Sequence, residues 1–174
     1  MTTDLKQSMP PVGAADARLL ILGSLPGDAS LTAQRYYAHP TNQFWRLLGG
    51  AIGEELGILD YVDRIARLSA RGIALWDVVA DATRAGSLDG AIRGMRPNPL
   101  ADFVAVHPRL EAIAFNGRTA AAIGRRALVG TDEVALIDLP SSSAALTRSF
   151  ADKLSDWSAL GGFADPPNSA TVPR

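Results

Sequence analysis

The sequence predicts an α/β fold with three layers, in which helices cover both faces of a central, four-stranded, mainly parallel sheet. Four short apolar runs occur along the 174 residues, and each is followed by glycine or a polar turn. Short strands that are apolar on both faces are typical of a parallel sheet buried on two sides. Helical periodicity fills the intervals between the runs, and strands that alternate with helices indicate the α/β class.

The four predicted strands are each bounded by residues that break regular structure. Gly23, Gly117 and Pro140 stand at or near the ends of three runs, and Gly72 separates the second run from the helix before it. The strands cover residues 18–22, 73–76, 112–115 and 134–137.

Apolar residues at helical spacing predict the intervening helices. Phe44, Trp45, Leu47 and Leu48 fall on one helical face, so a helix is expected to begin at Asn42. Residues 77–97 are polar and contain glycine, which favours a loop with a short helix. Further helices are predicted over residues 60–71, 99–106, 119–128 and 147–160.

Length and composition indicate a single domain over residues 1–174. Prolines and polar residues predict loose tails over 1–16 and 161–174, which leaves a core of about 17–160. No apolar run approaches 18 residues, and no signal segment is evident, so we expect no membrane association and a cytoplasmic location. Cysteine is absent, which excludes disulfides, thiolate zinc sites and cysteine-bound iron–sulfur clusters.

The charge balance argues against a broad nucleic-acid-binding face. The formal net charge is −1 and the pI is about 6.1. Proteins that coat nucleic acid depend on many phosphate contacts and are generally basic. A protein that contacts a few phosphates locally remains compatible with this composition.

The loops at the carboxyl ends of the strands are the places where chemistry is expected. In open parallel sheets ligands bind at this edge. The four loops begin at Gly23, Asp77, Asn116 and Pro140.

The first of these loops carries the longest motif. A turn, Gly-Ser-Leu-Pro-Gly over residues 23–27, precedes Tyr-Tyr-Ala-His-Pro-Thr-Asn-Gln-Phe-Trp over residues 36–45. The loop lacks the lysine of a phosphate-binding P-loop and the glycine spacing of a dinucleotide fingerprint.

These residues resemble motif one of the uracil-DNA glycosylase superfamily, and in particular its hypoxanthine-DNA glycosylase branch. The turn followed by Ala-His-Pro and by Asn-Xaa-Phe-Trp carries the likeness, which spans roughly residues 19–157. The mismatch-specific branch has its catalytic asparagine third in the turn, where Leu25 stands here. In the hypoxanthine branch the catalytic asparagine precedes the Phe-Trp pair, and this position is Asn42.

The resemblance implies a monofunctional DNA-repair glycosylase. Such an enzyme flips a deaminated base, here hypoxanthine, out of the duplex and hydrolyses its N-glycosidic bond, which leaves an abasic site. Its partner is DNA that contains the damaged base; we expect no cofactor and no metal, and a monomer. Two alternatives stay open: the same chemistry on uracil or xanthine, and a non-catalytic domain that binds nucleotides or DNA.

Asn42 admits two interpretations. Asparagine is a preferred N-cap residue, and the predicted helix begins here. The resemblance instead implies that its carboxamide orients a water molecule against the sugar carbon. Positioning of this kind suits a transition state that resembles an oxocarbenium ion.

Five residues are candidates for contacts to the base. Tyr37 would stack on it, where the alternative is a tyrosine packed in the core. Asp77 could accept from N1–H of hypoxanthine, although a negative carboxylate would oppose the charge that builds on the leaving base. Asp77 and Asn116 could also be plain turn residues, and His39 a structural histidine. The set implied by the resemblance is Leu25, Tyr37, His39, Asp77 and Asn116.

The fourth loop resembles motif two of the superfamily and is expected to press on the DNA backbone. Small hydroxyl residues and backbone N–H groups suit phosphate oxygens, although composition alone favours a plain linker. Ala144 and Ala145 stand where the branch usually has proline and asparagine. Leu146 is a candidate wedge into the base stack, and Arg118 is a further possible phosphate contact. The predicted DNA contacts are Ser141, Ser142, Ser143, Leu146 and Arg148.

Overall fold

The structure, a computed structural model, describes residues 4–167. Over this range the chain forms eight strands and six α-helices, together with three short 3₁₀ turns. In chain order the elements are β1 (Leu5–Gln7), β2 (Val12–Gly13), β3 (Leu19–Gly23), α1 (Asp28–Ala33), α2 (Phe44–Ile52), α3 (Tyr61–Ala70), β4 (Ile73–Asp77), β5 (Val79–Arg84), β6 (Ile92–Pro97), α4 (Leu100–Val106), β7 (Ala112–Asn116), α5 (Arg118–Ala127), β8 (Ala135–Leu139) and α6 (Phe150–Trp157).

The central sheet has five strands in the order β2-β4-β3-β7-β8. The four predicted strands are confirmed as β3, β4, β7 and β8, and all of them run parallel. The sequence predicted four strands, whereas the sheet has five. The fifth is β2, an edge strand that pairs antiparallel with β4. Three-layer α/β architecture is therefore confirmed.

The two faces of the sheet carry two separate hydrophobic cores. Leu19 and Ile21 point to one face and pack with α2, α3 and α6. Leu20 and Leu22 point to the other face and pack with α4 and α5. Side chains alternate between the two faces of a strand, so a strand buried on both faces must be apolar throughout, as the sequence pattern indicated.

A second, antiparallel sheet has the order β1-β5-β6. The prediction of a loop with a short helix over residues 77–97 was wrong, because this segment forms a β-hairpin. Most of β6 is exposed, and its sequence, Ile-Arg-Gly-Met-Arg-Pro, lacks the apolar alternation that identifies a strand. Backbone pairing with β5, rather than side-chain burial, stabilises this strand.

The expectation of two loose tails was also wrong within the described residues. The N-terminal segment supplies β1 and β2. At the other end, Ala164 is buried, and Asp165 accepts hydrogen bonds from Arg18 and Arg109. Residues 1–3 and 168–174, which the predicted tails include, lie outside the described range.

Helix boundaries differ modestly from those predicted. Helix α6 begins at Phe150 rather than at residue 147, because the Ser149 hydroxyl caps it by accepting from the Asp152 N–H. A 3₁₀ turn over Ser158–Phe163 continues it. Helix α1 lies within the segment that had been predicted as loop. None of the helices described between residues 4 and 167 is long and apolar enough to span a membrane.

Candidate active site

An open cavity of about 910 Å³ lies at the carboxyl ends of β3, β4, β7 and β8. This is the edge at which parallel sheets bind ligands. All eleven residues of the predicted catalytic, base-contact and DNA-contact sets line it, so the structure brings together side chains separated by up to 123 positions. They are Leu25, Tyr37, His39, Asn42, Asp77, Asn116, Ser141, Ser142, Ser143, Leu146 and Arg148.

The turn after β3 forms one wall of the cavity and is braced from behind by a buried arginine. Leu25 is almost completely buried and packs into the core on the α4 and α5 side. The Arg84 guanidinium donates to the carbonyls of Leu25, Pro26 and Gly86. Leu25 therefore offers an apolar wall, and its position in the turn is fixed by charge-assisted bonds.

Gly23 lies where a side chain would not fit. A Cβ atom built at this position would lie 2.7 Å from Asp77 Oδ1 and 3.0 Å from the Tyr37 hydroxyl oxygen. The absence of a side chain thus allows the carboxyl and the phenol to approach the turn.

Asn42 lies one residue before Gln43, the N-cap of α2, and its side chain bonds both to the start of this helix and to the serine loop. Its Oδ1 accepts from the N–H of Phe44, the first residue of α2, at 3.0 Å, and from the Ser142 hydroxyl at 2.8 Å. Because a backbone N–H only donates, the atom that faces it must be the amide oxygen. Across residues 4–167 no acceptor bonds to the Asn42 amide nitrogen, so this NH₂ group is free to bind a ligand.

Asn116 and Ser142 extend this arrangement into a network. Asn116 Nδ2 donates to the Ser142 hydroxyl at 2.8 Å, and Asn116 Oδ1 accepts from the Ser142 N–H at 2.9 Å. Asn116 ends β7, and the left-handed turn residue is its neighbour Gly117, at φ +101°. Asn116 is therefore buried and connects strand to serine loop, which is more than the plain turn residue that the sequence allowed.

Tyr37 and Tyr36 lie in different environments. The Tyr37 ring stacks on Phe44 with ring centroids 3.7 Å apart and planes 6° from parallel. Its hydroxyl is buried without a hydrogen-bond partner within residues 4–167, and burial raises its pKa. Tyr37 has φ +54°, a conformation that costs a non-glycine residue energy. The Tyr36 hydroxyl instead donates toward the carbonyls of Met9 and Pro10, which indicates a structural tyrosine.

Asp77 ends β4 and is almost fully buried in the cavity wall. Burial raises the pKa of its carboxyl to about 7, against the opposing effect of a hydrogen bond from the Ser8 hydroxyl to Oδ2 at 3.0 Å. Asp77 is thus substantially protonated at neutral pH, because desolvation penalises the charged form.

His39 is exposed at the mouth of the cavity. Its Nδ1 lies 3.2 Å from the Thr41 N–H and 2.9 Å from the Thr41 hydroxyl. An Nδ1 that accepts from a backbone N–H leaves Nε2 as the protonated nitrogen of the neutral ring. His39 therefore offers a donor at the rim.

The serine loop after β8 is connected to the rest of the site by its own backbone. Ser142 is buried and its carbonyl accepts from the Gln43 N–H at 3.0 Å. The Ser141 hydroxyl accepts from the Ser143 N–H. Ala144 and Ala145 are exposed, and Leu146 is half-buried beside them.

The cavity carries more carboxylates than free cations. Most of the acidic groups that line it are bonded to a cation or a hydroxyl. Arg148 forms an ion pair with Asp156, whereas Arg118 is exposed at the start of α5. The other pairs are Asp28 with Lys6, Asp138 with Arg125, and Asp89 with the Ser24 hydroxyl. Within the described part of the chain, no cluster of three or more metal-ligating side chains occurs.

Three residues near the site were missed by sequence reasoning. Ser8 lies in a segment predicted as a loose tail, and nothing in its sequence context indicated a contact with Asp77. Arg84 lies in the segment that had been predicted as loop. Lys153 carried a signal: it lies at helical spacing between Phe150 and Trp157, on the apolar face of α6, where a lysine is unexpected.

Fold and cavity together define an α/β protein with a ligand site at the carboxyl edge of its parallel sheet, lined by an aromatic ring, two carboxamides, a protonatable carboxyl and a serine loop. The model of the uracil DNA glycosylase superfamily matches residues 10–160. The chain belongs to this superfamily.

Similar proteins agree with this membership. The chain is 38% identical to a hypoxanthine DNA glycosylase of Methanosarcina barkeri, over 87% of this chain and 95% of that protein. It is also 38% identical to a hypoxanthine DNA glycosylase of Methanosarcina acetivorans, over 90% of this chain and 98% of that protein. A solution NMR structure from M. acetivorans, described as a candidate uracil DNA glycosylase, superposes with a TM-score of 0.81 at 38% identity. That match covers 91% of this chain and 97% of the other.

Proposed function

We propose that this protein is a monofunctional DNA glycosylase that hydrolyses the N-glycosidic bond of a deaminated base, hypoxanthine above all. The observation that carries the proposal is the convergence of Asn42, Tyr37, Asp77 and Asn116 on one cavity in a member of the superfamily. The named relatives, which act on hypoxanthine by their description, support the choice of base.

The flipped base would stack on Tyr37. Phe44 already covers one face of the ring, so only the opposite face is available to a ligand. The stack on Phe44 and the strained backbone of Tyr37 hold the ring in one orientation, which lowers the cost of ordering it on binding. Stacking on an aromatic ring contributes about 1–3 kcal/mol per base.

Asp77 would read the edge of the base in its protonated form. A neutral carboxyl accepts one hydrogen bond and donates another, so it matches the adjacent N–H and C=O groups of a lactam. Hypoxanthine, uracil and xanthine share this edge. Protonation also removes the conflict between a carboxylate and the negative charge that builds on the leaving base. The buried position of Asp77 supports this form near neutral pH.

Asn42 would position the water that attacks the sugar. Its oxygen is occupied by Phe44 and Ser142, so its NH₂ group holds the water or a neighbouring oxygen of the substrate. The water oxygen bonds to the anomeric carbon as the bond to the base nitrogen breaks, the electron pair leaves with the base, and the proton of the water is released to neutralise the base. The products are a free base and an abasic site.

Ser141, Ser142, Ser143, Leu146 and Arg148 would contact the DNA. The loop offers hydroxyls and N–H groups to phosphate oxygens, and Leu146, which lines the cavity, would be the wedge into the base stack. Arg148 would have to exchange Asp156 for a phosphate. Leu25 would form the apolar wall of the base pocket. His39 would donate a hydrogen bond from its ring N–H at the mouth of the cavity. We still predict, from the sequence, that the enzyme is monomeric and cytoplasmic and that it uses no cofactor.

The test is excision from short duplexes that each carry one hypoxanthine, uracil or xanthine, with Asn42→Ala assayed in parallel. Release of hypoxanthine by the wild type and a large loss in the variant is the expected result. Release of uracil or xanthine alone would keep the chemistry and replace the substrate. A folded protein that binds the duplexes and releases no base would favour the non-catalytic alternative.

A further inference from the structure

Lys153 is a buried cation directly behind the serine loop. The residue is 1% exposed, on the face of α6 that packs against the core. Its ammonium donates to Gln43 Oε1 at 3.1 Å and to the Ser143 carbonyl at 3.0 Å. Among residues 4–167 no carboxylate forms an ion pair with it.

A buried ammonium without a carboxylate partner is costly, because neutral acceptors replace only part of its lost hydration. Burial accordingly lowers the pKa of Lys153. A methionine here would fill the same space at no such cost, and core stability alone does not explain the lysine.

The two acceptors of Lys153 lie at the two segments that meet in the cavity. Gln43 follows Asn42, and Ser143 follows Ser142. The same segments are joined by the Gln43 N–H to the Ser142 carbonyl and by the Ser142 hydroxyl to Asn42 Oδ1. Lys153 itself does not line the cavity, so it can act on a ligand only through these neighbours.

We propose that Lys153 is a positioning residue that holds the serine loop against the segment of Asn42 through its bonds to Gln43 and Ser143, which we call the clamp. The clamp would keep the distance between the DNA-contacting loop and the Asn42 carboxamide constant. The amide N–H of Ala144 belongs to the peptide whose carbonyl accepts from Lys153. In a trans peptide the N–H points opposite to the C=O, so the clamp also directs this donor away from the ammonium. The proposal rests on the proposed function for the meaning of the loop, whereas the clamp itself can be tested without activity.

The test compares Lys153→Met with Arg126→Met, which removes the same charge from an exposed position of α5 outside the cavity. Hydrogen exchange of the Gln43 and Ser142 amides, followed by NMR on free protein, measures the clamp directly. We expect exchange about tenfold faster or more in Lys153→Met, the size of a lost charge-assisted hydrogen bond, and no change in Arg126→Met. Unchanged exchange at both amides would overturn the proposal, whatever the enzyme's substrate.

Single-turnover excision at saturating duplex separates positioning from a merely structural role. Lys153→Met is expected to lose about tenfold in rate while its melting temperature changes little, because removal of a buried charge offsets the loss of its two hydrogen bonds. A lower melting temperature with a wild-type rate would overturn the proposal.

If Lys153→Met does not fold, Gln43→Met removes the other end of the clamp without a change of charge. It should show the same faster exchange of the Ser142 amide, and normal exchange there would count against the clamp. Where the single variants fold, the double variant should be no slower than either.

Discussion

The hydroxyl of Ser142 donates a hydrogen bond of 2.8 Å to the carboxamide oxygen of Asn42, across 100 positions of the chain. The same hydroxyl accepts from Asn116, so the three side chains form one chain of hydrogen bonds with a single direction. This arrangement fixes which end of the Asn42 carboxamide faces the cavity. Polarisation along such a chain strengthens each member, so the network acts as one unit.

Asn42→Ala is expected to reduce excision by about 10²–10³-fold, the effect of removing one preorganised polar group from an active site. The fold should persist, because the variant loses two hydrogen bonds, from the Phe44 N–H and the Ser142 hydroxyl, each worth about 1 kcal/mol. Single-turnover rates and circular dichroism on the same preparation provide the measurement. Wild-type excision by the variant would remove Asn42 from the mechanism.

Asp77 gives a prediction for the pH dependence. Burial raises the pKa of its carboxyl to about 7, so the protonated form that we propose for base reading is lost as the pH rises through that value. Excision should therefore decline above about pH 7. Asp77→Asn keeps one acceptor and one donor and should retain activity without this decline. The pH profile of single-turnover excision is the measurement, and a decline that persists in Asp77→Asn would assign it to another group.

The same carboxyl affects stability. Its folded-state pKa lies above the unfolded value, so its contribution to stability is fully present below about pH 4 and is lost as the pH rises through about 7. The melting temperature of the wild type should fall relative to that of Asp77→Asn between pH 5 and pH 8. Parallel melting curves for the two proteins would contradict a perturbed Asp77.

Gly23→Ala tests the crowding around the turn. The added methyl would lie 2.7 Å from Asp77 Oδ1 and displace it, so we expect at least a tenfold loss of excision, or about 1.4 kcal/mol. Gly27→Ala is the matched control in the same turn, because its nearest neighbour would be the Ser87 hydroxyl at an ordinary 3.5 Å. Equal rates for the two variants would show that Asp77 tolerates the displacement.

The two adjacent tyrosines should respond in opposite ways. Tyr36→Phe removes a hydroxyl bonded to the carbonyls of Met9 and Pro10, and it should lower the free energy of unfolding by about 1 kcal/mol with little effect on excision. Tyr37→Ala should lose about 1–3 kcal/mol of base affinity through lost stacking. Tyr37→Phe keeps the ring and removes an unpartnered hydroxyl, so it should bind like the wild type. Chemical denaturation and equilibrium binding to a lesion duplex distinguish these outcomes.

The strands and the principal helices were predictable because their signals are local. A run such as residues 19–22 is apolar at every position, and its shortness and the glycine that follows it favour a strand buried on both faces over a helix. The loops at the carboxyl ends of these strands follow from the topology of parallel sheets, and the residues from Gly23 to Trp45 carry a motif long enough to indicate a family.

Only the tertiary structure decided several features of this protein. They are the hairpin of β5 and β6, the two N-terminal strands, and the contacts of Ser8, Arg84 and Lys153. Backbone pairing stabilises β6 although its side chains are mostly exposed, so no hydrophobic pattern identifies it. The protonation of Asp77 and the orientation of the Asn42 carboxamide depend on burial and on partners up to 100 residues away. The sequence determined which groups occupy the sheet edge, whereas the desolvation and hydrogen bonds that set their chemical state exist only when the chain is folded.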